Sequence, residues 1–263
     1  MTRPLCLLRG GGDLATGVAW RLTRAGFPVV VAELAEPLAI RRTVALSTAV
    51  GAGVVDIEGM VGRLVPAPEE AVAVAATGEV AVLVSPSLPP IGADVVVDAR
   101  LAKRNIDTSI ADAPLVVGIG PGFTASVDCH AVVESLRGHR LGRVLWSGAA
   151  AADTGTPGLV GGEGAERVVR APVAGVVRWE ARIGAVVGAG EPLGRVGSDV
   201  VAARIAGVVR GLIAPGTAVG EGPKIADIDP RADAAACDEI SDKALAVGGG
   251  VLEAVTTWLA RSR

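Results

Sequence analysis

The stretch Leu5-Cys6-Leu7-Leu8-Arg9-Gly10-Gly11-Gly12-Asp13-Leu14-Ala15 decides the fold class. A short apolar run ended by glycines is the pattern of a strand buried on both faces. Gly10, Gly12 and Ala15 then fit G-x-G-x-x-A, a phosphate-binding turn between a strand and a helix. Leu14, Val18, Leu22 and Ala25 share one helical stripe, and Gly26 stands where a glycine ends a helix. Residues 29–32 read as a second strand closing on Glu33, 23 residues after Gly10. That is near the ~20 at which an acidic side chain meets a ribose hydroxyl.

Glycines let a backbone approach a pyrophosphate, whose charge sits on the positive end of the following helix. Gly10, Gly11, Gly12 and Asp13 are therefore candidate binding residues, with Glu33 at the sugar. Asp13 complicates the reading, since its carboxylate caps a helix yet repels a phosphate. A dinucleotide, another anionic ligand and a purely structural turn all fit these residues.

Working outward, Val54–Ile57, Val80–Val84, 95–97 and 115–117 are apolar runs suited to strands, and 69–76 is an alanine-rich helix. The alternation predicts an α/β class: a Rossmann-like, mostly parallel sheet over residues 1–162. Ligands of such sheets bind beyond the carboxyl ends of the strands. Asp98 follows a strand directly and either orients a substrate or ribose or caps the next helix. Gly120 and Gly122 offer a second close backbone approach, or a tight turn. Asp98, Lys103 and His139 are the candidate catalytic groups, with His139 beside Arg137 as an acid/base or a structural histidine. No metal is expected: Cys129 and His130 are adjacent and lack a ligand partner at metal-site spacing. No G-x-S-x-G is present, so a hydrolase is not supported.

Composition narrows the rest. The 263 residues are 50% apolar and 20% charged, with a net charge of −3 and no dominant basic cluster. Two Phe and no Tyr leave little for base stacking, so no nucleic-acid partner is expected. No apolar run reaches the roughly 18 residues of a membrane span, and residues 1–8 are too brief for a secretory signal. Three cysteines in a chain this long need no staple, which favours a reducing cytoplasm.

From Glu163 the chain repeats itself at an offset of 32 residues. Gly175-Val176-Val177-Arg178 matches Gly207-Val208-Val209-Arg210, Gly184 matches Gly216, and Val187-Gly188 matches Val219-Gly220. Two copies of one four-stranded unit are expected over 163–230. This pattern resembles the biotinyl/lipoyl-like barrel-sandwich hybrid, opening at Ala171-Pro172-Val173-Ala174-Gly175. The join Gly197-Ser198-Asp199-Val200-Val201-Ala202 contains no lysine, so no lipoyl or biotin arm is expected. Residues 231–263 read as a helical tail docking on the first domain. Ile240, Ala244 and Val247 share a face, as do Leu252, Val255, Thr256 and Leu259 beyond Gly248-Gly249-Gly250.

Taken in order, the phrase at residues 9–15, Ala39-Ile40-Arg41-Arg42, Gly120-Pro121-Gly122-Phe123, Arg137-Gly138-His139, Leu141-Gly142-Arg143, Lys224-Ile225-Ala226-Asp227-Ile228-Asp229-Pro230-Arg231 and Ser241-Asp242-Lys243 carry a resemblance over nearly the whole chain. It is similar to the accessory proteins of the selenium-dependent molybdenum hydroxylase system. The resemblance implies a cytoplasmic maturation factor, partnered by a molybdenum hydroxylase or its maturation proteins and open to homo-oligomers. It implies a dinucleotide or molybdopterin-type cofactor, with Arg41, Arg42 or Arg137 pairing a pterin phosphate. The competing readings are an NAD(P)-dependent oxidoreductase, with His139 or Lys103 as proton donor, and a non-enzymatic assembly or binding protein.

Overall fold

In the computed structural model, residues 3–155, 158 and 161–262 are described. The reading of residues 1–8 falls in part outside them. Contacts divide the chain into one unit of Met1–Pro37, Ala45–Asp153 and Ile240–Arg263 and another of Leu38–Val44 and Thr154–Glu239.

The first unit is laid down by alternating strands and helices. In order they are β1 (Cys6–Arg9), α1 (Asp13–Arg24), β2 (Val29–Glu33), α2 (Ala49–Ala52), β3 (Val54–Ile57), β4 (Met60–Val65), α3 (Pro68–Ala76), β5 (Val80–Val84), β6 (Val95–Asp98), β7 (Leu115–Ile119), β8 (Thr124–Ala125), β9 (Ala131–Val133), β10 (Val144–Leu145) and β11 (Gly148–Ala149). Nine of these strands form one mixed sheet in the order β10-β9-β7-β6-β1-β2-β5-β4-β3. The strands from β9 to β4 run parallel, and β10 and β3 close the edges antiparallel. β1, β6 and β7 are buried at every residue, as continuous Val/Leu/Ile runs require when both faces are covered. β4 was not expected, because Gly62 and Arg63 interrupt its apolar pattern. Gly62 is needed where a Cβ would meet the Leu46 side chain, and Arg63 is held outside by a two-pronged bond to Glu79 (2.6 and 3.0 Å).

α1 buries Leu14, Ala15, Val18, Ala19 and Leu22, and Gly26 takes the left-handed conformation (φ +81°) that stops it. Full burial of Leu22 contributes about 1.5–3 kcal/mol. Across it lies α4 (Asp242–Arg261), capped by the Ser241 hydroxyl accepting from Ala244 N at 3.2 Å. α4 runs unbroken through Gly248-Gly249-Gly250. Those glycines answer a packing demand. A Cβ at Gly248 would strike the Gly17 carbonyl of α1, one at Gly250 the Gly142 carbonyl, and one at Gly17 the Ala244 carbonyl.

The second unit shows what the repeat builds. Its strands are β12 (Val168–Arg170), β13 (Gly175–Trp179), β14 (Val186–Val187), β15 (Pro192–Val196), β16 (Asp199–Ala202), β17 (Gly207–Leu212), β18 (Ala218–Val219) and β19 (Lys224–Asp229). Two antiparallel four-stranded sheets result, β12-β19-β17-β14 and β16-β15-β13-β18. Each sheet takes two strands from either copy, so the copies interleave. Val177, Leu193, Val209, Ile225 and Ile228 fill the core between them. Among the described residues no helix is long and apolar enough to cross a membrane.

Candidate functional site

β1 ends at Arg9 and α1 begins at Asp13, so three glycines make the whole turn. Two are demanded by the protein itself. Gly10 sits at φ +92°, a region L side chains avoid, and a Cβ there would lie 3.2 Å from Arg100 Cα. A Cβ on Gly11 would press to 2.9 Å of Ser47 N, whose N–H donates to Gly11 O at 2.8 Å. Gly12 is different. Its φ of −69° suits any residue, and a Cβ there would meet nothing within 4 Å. Gly12 is also the N-cap of α1, where Ser, Thr, Asp or Asn would supply a side-chain acceptor. Gly12 itself has no side chain with which to cap the helix. Glu33, at the end of β2, spans the turn: Oε2 accepts from Gly11 N (2.8 Å) and Oε1 from Leu34 N (2.7 Å). A carboxylate has about four acceptor positions, so Glu33 keeps capacity for a hydroxyl.

Beside the turn, the register that sets Arg9 against Asp98 puts opposite charges at the carboxyl ends of β1 and β6. Both are buried, at 3% and 2% exposure. Arg9 donates to Thr108 Oγ1 and Asp107, each at 2.8 Å. Arg100 grips Asp98 through Nε and Nη2 and reaches Asp107 at 2.7 Å, while Thr108 Oγ1 donates to Asp98 at 2.7 Å. Hydrogen bonds from Arg9, helped by Arg100, hold the Asp107 carboxyl below the usual range. Burial opposes the Arg100 charge, but its bonds to Asp98 and Asp107 outweigh that and raise it. Two arginines against two aspartates make this a charge-balanced network at the strand ends.

The remaining sequence candidates scatter. Asp98 caps no helix, because an irregular segment follows β6 with Leu101 and Lys103 at positive φ. Lys103 bonds Asp153 at 2.8 Å on the surface, His139 is exposed, and Arg137 holds Asp242 through two bonds (2.6 and 2.9 Å) at the start of α4. Gly120 and Gly122 are turn glycines at φ +76° and +105°, where a Cβ would strike Ser135 and the Arg104 backbone. Arg41 and Arg42 belong to the other unit. There Arg41 donates to the Ala236 and Glu239 carbonyls, and Arg42 to the Leu212 carbonyl. Cys129 is buried, which pushes its thiol up to about 11, and Cys6 is pushed up to about 12 for the same reason. Adjacent His130 is turned to the sheet, its Nδ1 accepting from Val116 N at 2.9 Å. A cavity of about 500 Å3 lies elsewhere, lined by Leu7, Val96, Leu88, Pro89, Pro90 and Pro114 among others. Asp112 is the one ionisable residue of its lining, so it offers no cation to an anionic ligand.

No protein-family model matches the chain. It is 45% identical over 254 residues to the uncharacterized protein YqeB of Escherichia coli K12, covering 95% of this chain and 47% of that one. The chain thus spans about half the length of the curated relative it matches. Solved structures that align include a succinylglutamate desuccinylase/aspartoacylase of Rhodobacter sphaeroides (16% identity, 86% and 85% of the two chains, TM-score 0.29). Another is an aspartoacylase-family protein of Mesorhizobium loti (13% identity, 87% and 85%, TM-score 0.28). A third is the product-bound ectoine utilization protein EutE of Ruegeria pomeroyi (15% identity, 86% and 85%, TM-score 0.25).

These findings overturn the resemblance to the selenium-dependent molybdenum hydroxylase accessory proteins, together with the maturation role and hydroxylase partner read from it. The structures that align bear desuccinylase and aspartoacylase names instead. Their superpositions are too loose to carry an activity to this chain. The structure gives the physical reason the resemblance misled. Its most specific phrase, at 224–231, forms β19, whose aspartates are fixed by ion pairs to Arg167, Lys224 and Arg231. Arg41, Arg42 and Arg137, given to a pterin phosphate, are bonded to carbonyls or to Asp242.

Sequence reasoning missed Arg9, Arg100, Asp107 and Thr108. Arg9 carried a signal: a charged residue closing a strand otherwise built for full burial needs a partner on the neighbouring strand.

Proposed function

We propose that the first unit binds a phosphate-bearing nucleotide, of dinucleotide type, on the N-terminal amides of α1. The observation that carries this reading is Gly12. Among the described residues nothing accounts for a glycine there, neither its φ nor a neighbour, yet it stands at the N-cap, where a side-chain acceptor is usual. A phosphate approaching those amides accounts for both, since a Cβ would occupy its path and the N–H groups would bond it. The order of the parallel strands supports a Rossmann-like reading: successive crossovers reverse direction at β1 and β6, where such sheets hold ligands. Glu33 then takes the ribose, and the Arg9–Asp98–Arg100–Asp107 network keeps the crevice shape. The interleaved sheets of the second unit support the barrel-sandwich hybrid reading, with a lysine-free hairpin between β15 and β16.

Equilibrium titration of the full chain with NAD, ADP and ADP-ribose tests the proposal. Binding is expected in the parent and lost at least about tenfold in Gly12→Val, with the thermal midpoint kept. Equal affinity in Gly12→Val, or no binding by the parent, would overturn it.

A further inference from the structure

An ionic row on the sheet β12-β19-β17-β14 takes no part in the crevice just described. Asp227 and Asp229, two apart on β19, share a face, while Ile228 between them turns to the core. Arg167 Nη1 holds Asp227 at 2.6 Å and Lys224 Nζ holds it at 3.0 Å. Arg231 takes both oxygens of Asp229, at 2.9 and 2.6 Å. The last cation is Arg210, on β17. Its buried Nε faces Asp229 Oδ2 at 3.8 Å, beyond hydrogen-bond reach, and finds no hydrogen-bond partner among the described residues. The residue is 8% exposed. Four cations thus share two carboxylates, and the most deeply placed guanidinium leaves its Nε without a hydrogen bond.

A buried donor left in this way demands an explanation. The fold does not require the arrangement. At the repeat offset, the first copy carries Arg178, Arg195 and Gly197 where the second carries Arg210, Asp227 and Asp229, and Arg178 is exposed. The surplus charge is therefore peculiar to the second copy. Nearby, Arg41 and Arg210 both favour the Cys237 thiolate, against Asp238, although burial outweighs them. Access comes from the rim, where the side chains of Lys224 and Arg231 are 33% and 52% exposed.

We propose that Arg210, with Lys224 and Arg231 at its rim, binds a phosphate-type dianion, either inorganic phosphate or a small phosphate monoester. Two positive charges match one dianion, and the guanidinium fork matches its oxygens. The test is calorimetric titration of the full chain with inorganic phosphate and with glycerol phosphate, against chloride at matched ionic strength. The parent is expected to bind one equivalent. Arg210→Met is expected to lose it and to melt higher in phosphate-free buffer, because a buried guanidinium nitrogen without a hydrogen bond is gone. Arg210→Lys keeps the charge but not the fork and is expected to bind about tenfold more weakly. Gly12→Val is expected to bind phosphate here as the parent does, which separates this site from α1. Tighter binding of the free ion marks phosphate as the ligand, and tighter binding of the ester marks a phosphorylated small molecule. Parent affinity in both Arg210 variants, or no binding by the parent, overturns the proposal.

Discussion

His130 and Gly12 show what single residues decide. Burial pulls the His130 imidazole below its ordinary value of 6.5, and its Nδ1 must stay unprotonated to accept from Val116 N. A base with a depressed folded-state pKa takes up its proton more readily when the chain unfolds. Stability from this group is therefore complete above pH 6.5 and is lost as pH falls below it. Denaturant midpoints measured from pH 7.5 down to about 5 should decline in the parent. The decline should be shallower in His130→Gln, and parallel curves would contradict the assignment. Gly12 was legible in the sequence as part of a motif, but its distinction from Gly10 and Gly11 was not. That depends on Arg100 and Ser47, which arrive from distant segments. The same holds for Arg9, whose partners Asp107 and Thr108 sit in an irregular segment that no periodicity marks.

Elements were legible where burial wrote a continuous pattern. β1, β5, β6 and β7 read directly as apolar runs, and the repeat placed the eight strands of the second unit in register. β4 was hidden by the residues that suit its position near the sheet edge. In α4 local propensity and packing pull apart. Gly249 has open space around its Cβ position, whereas Gly248 lies against the Gly17 carbonyl. Gly249→Ala should thus stabilise the protein by about 0.5–1 kcal/mol, the propensity gain of a helix interior. Gly248→Ala should destabilise it by about 1–3 kcal/mol, since the helices must separate. Urea unfolding of the pair measures the difference, and equal effects would show that α1 and α4 do not meet through these residues.

At the scale of the whole molecule, two unlike architectures share one chain. One is a mixed nine-stranded sheet with helices, the other a pair of interleaved four-stranded sheets. The sequence announced both through a glycine turn and a repeat, yet the long motif phrases that pointed to a family are, in the structure, strands and ion pairs. The proposed function therefore rests on local physics: a glycine at the N-cap of α1 where neither its φ nor a described neighbour requires one. Amide resonances read that site directly. In a nitrogen-edited spectrum of the full chain titrated with ADP-ribose, the account predicts the largest shifts at Gly12, Asp13, Leu14 and Ala15, saturating together. Shifts confined to other residues, or an unchanged spectrum at millimolar ligand, would contradict it.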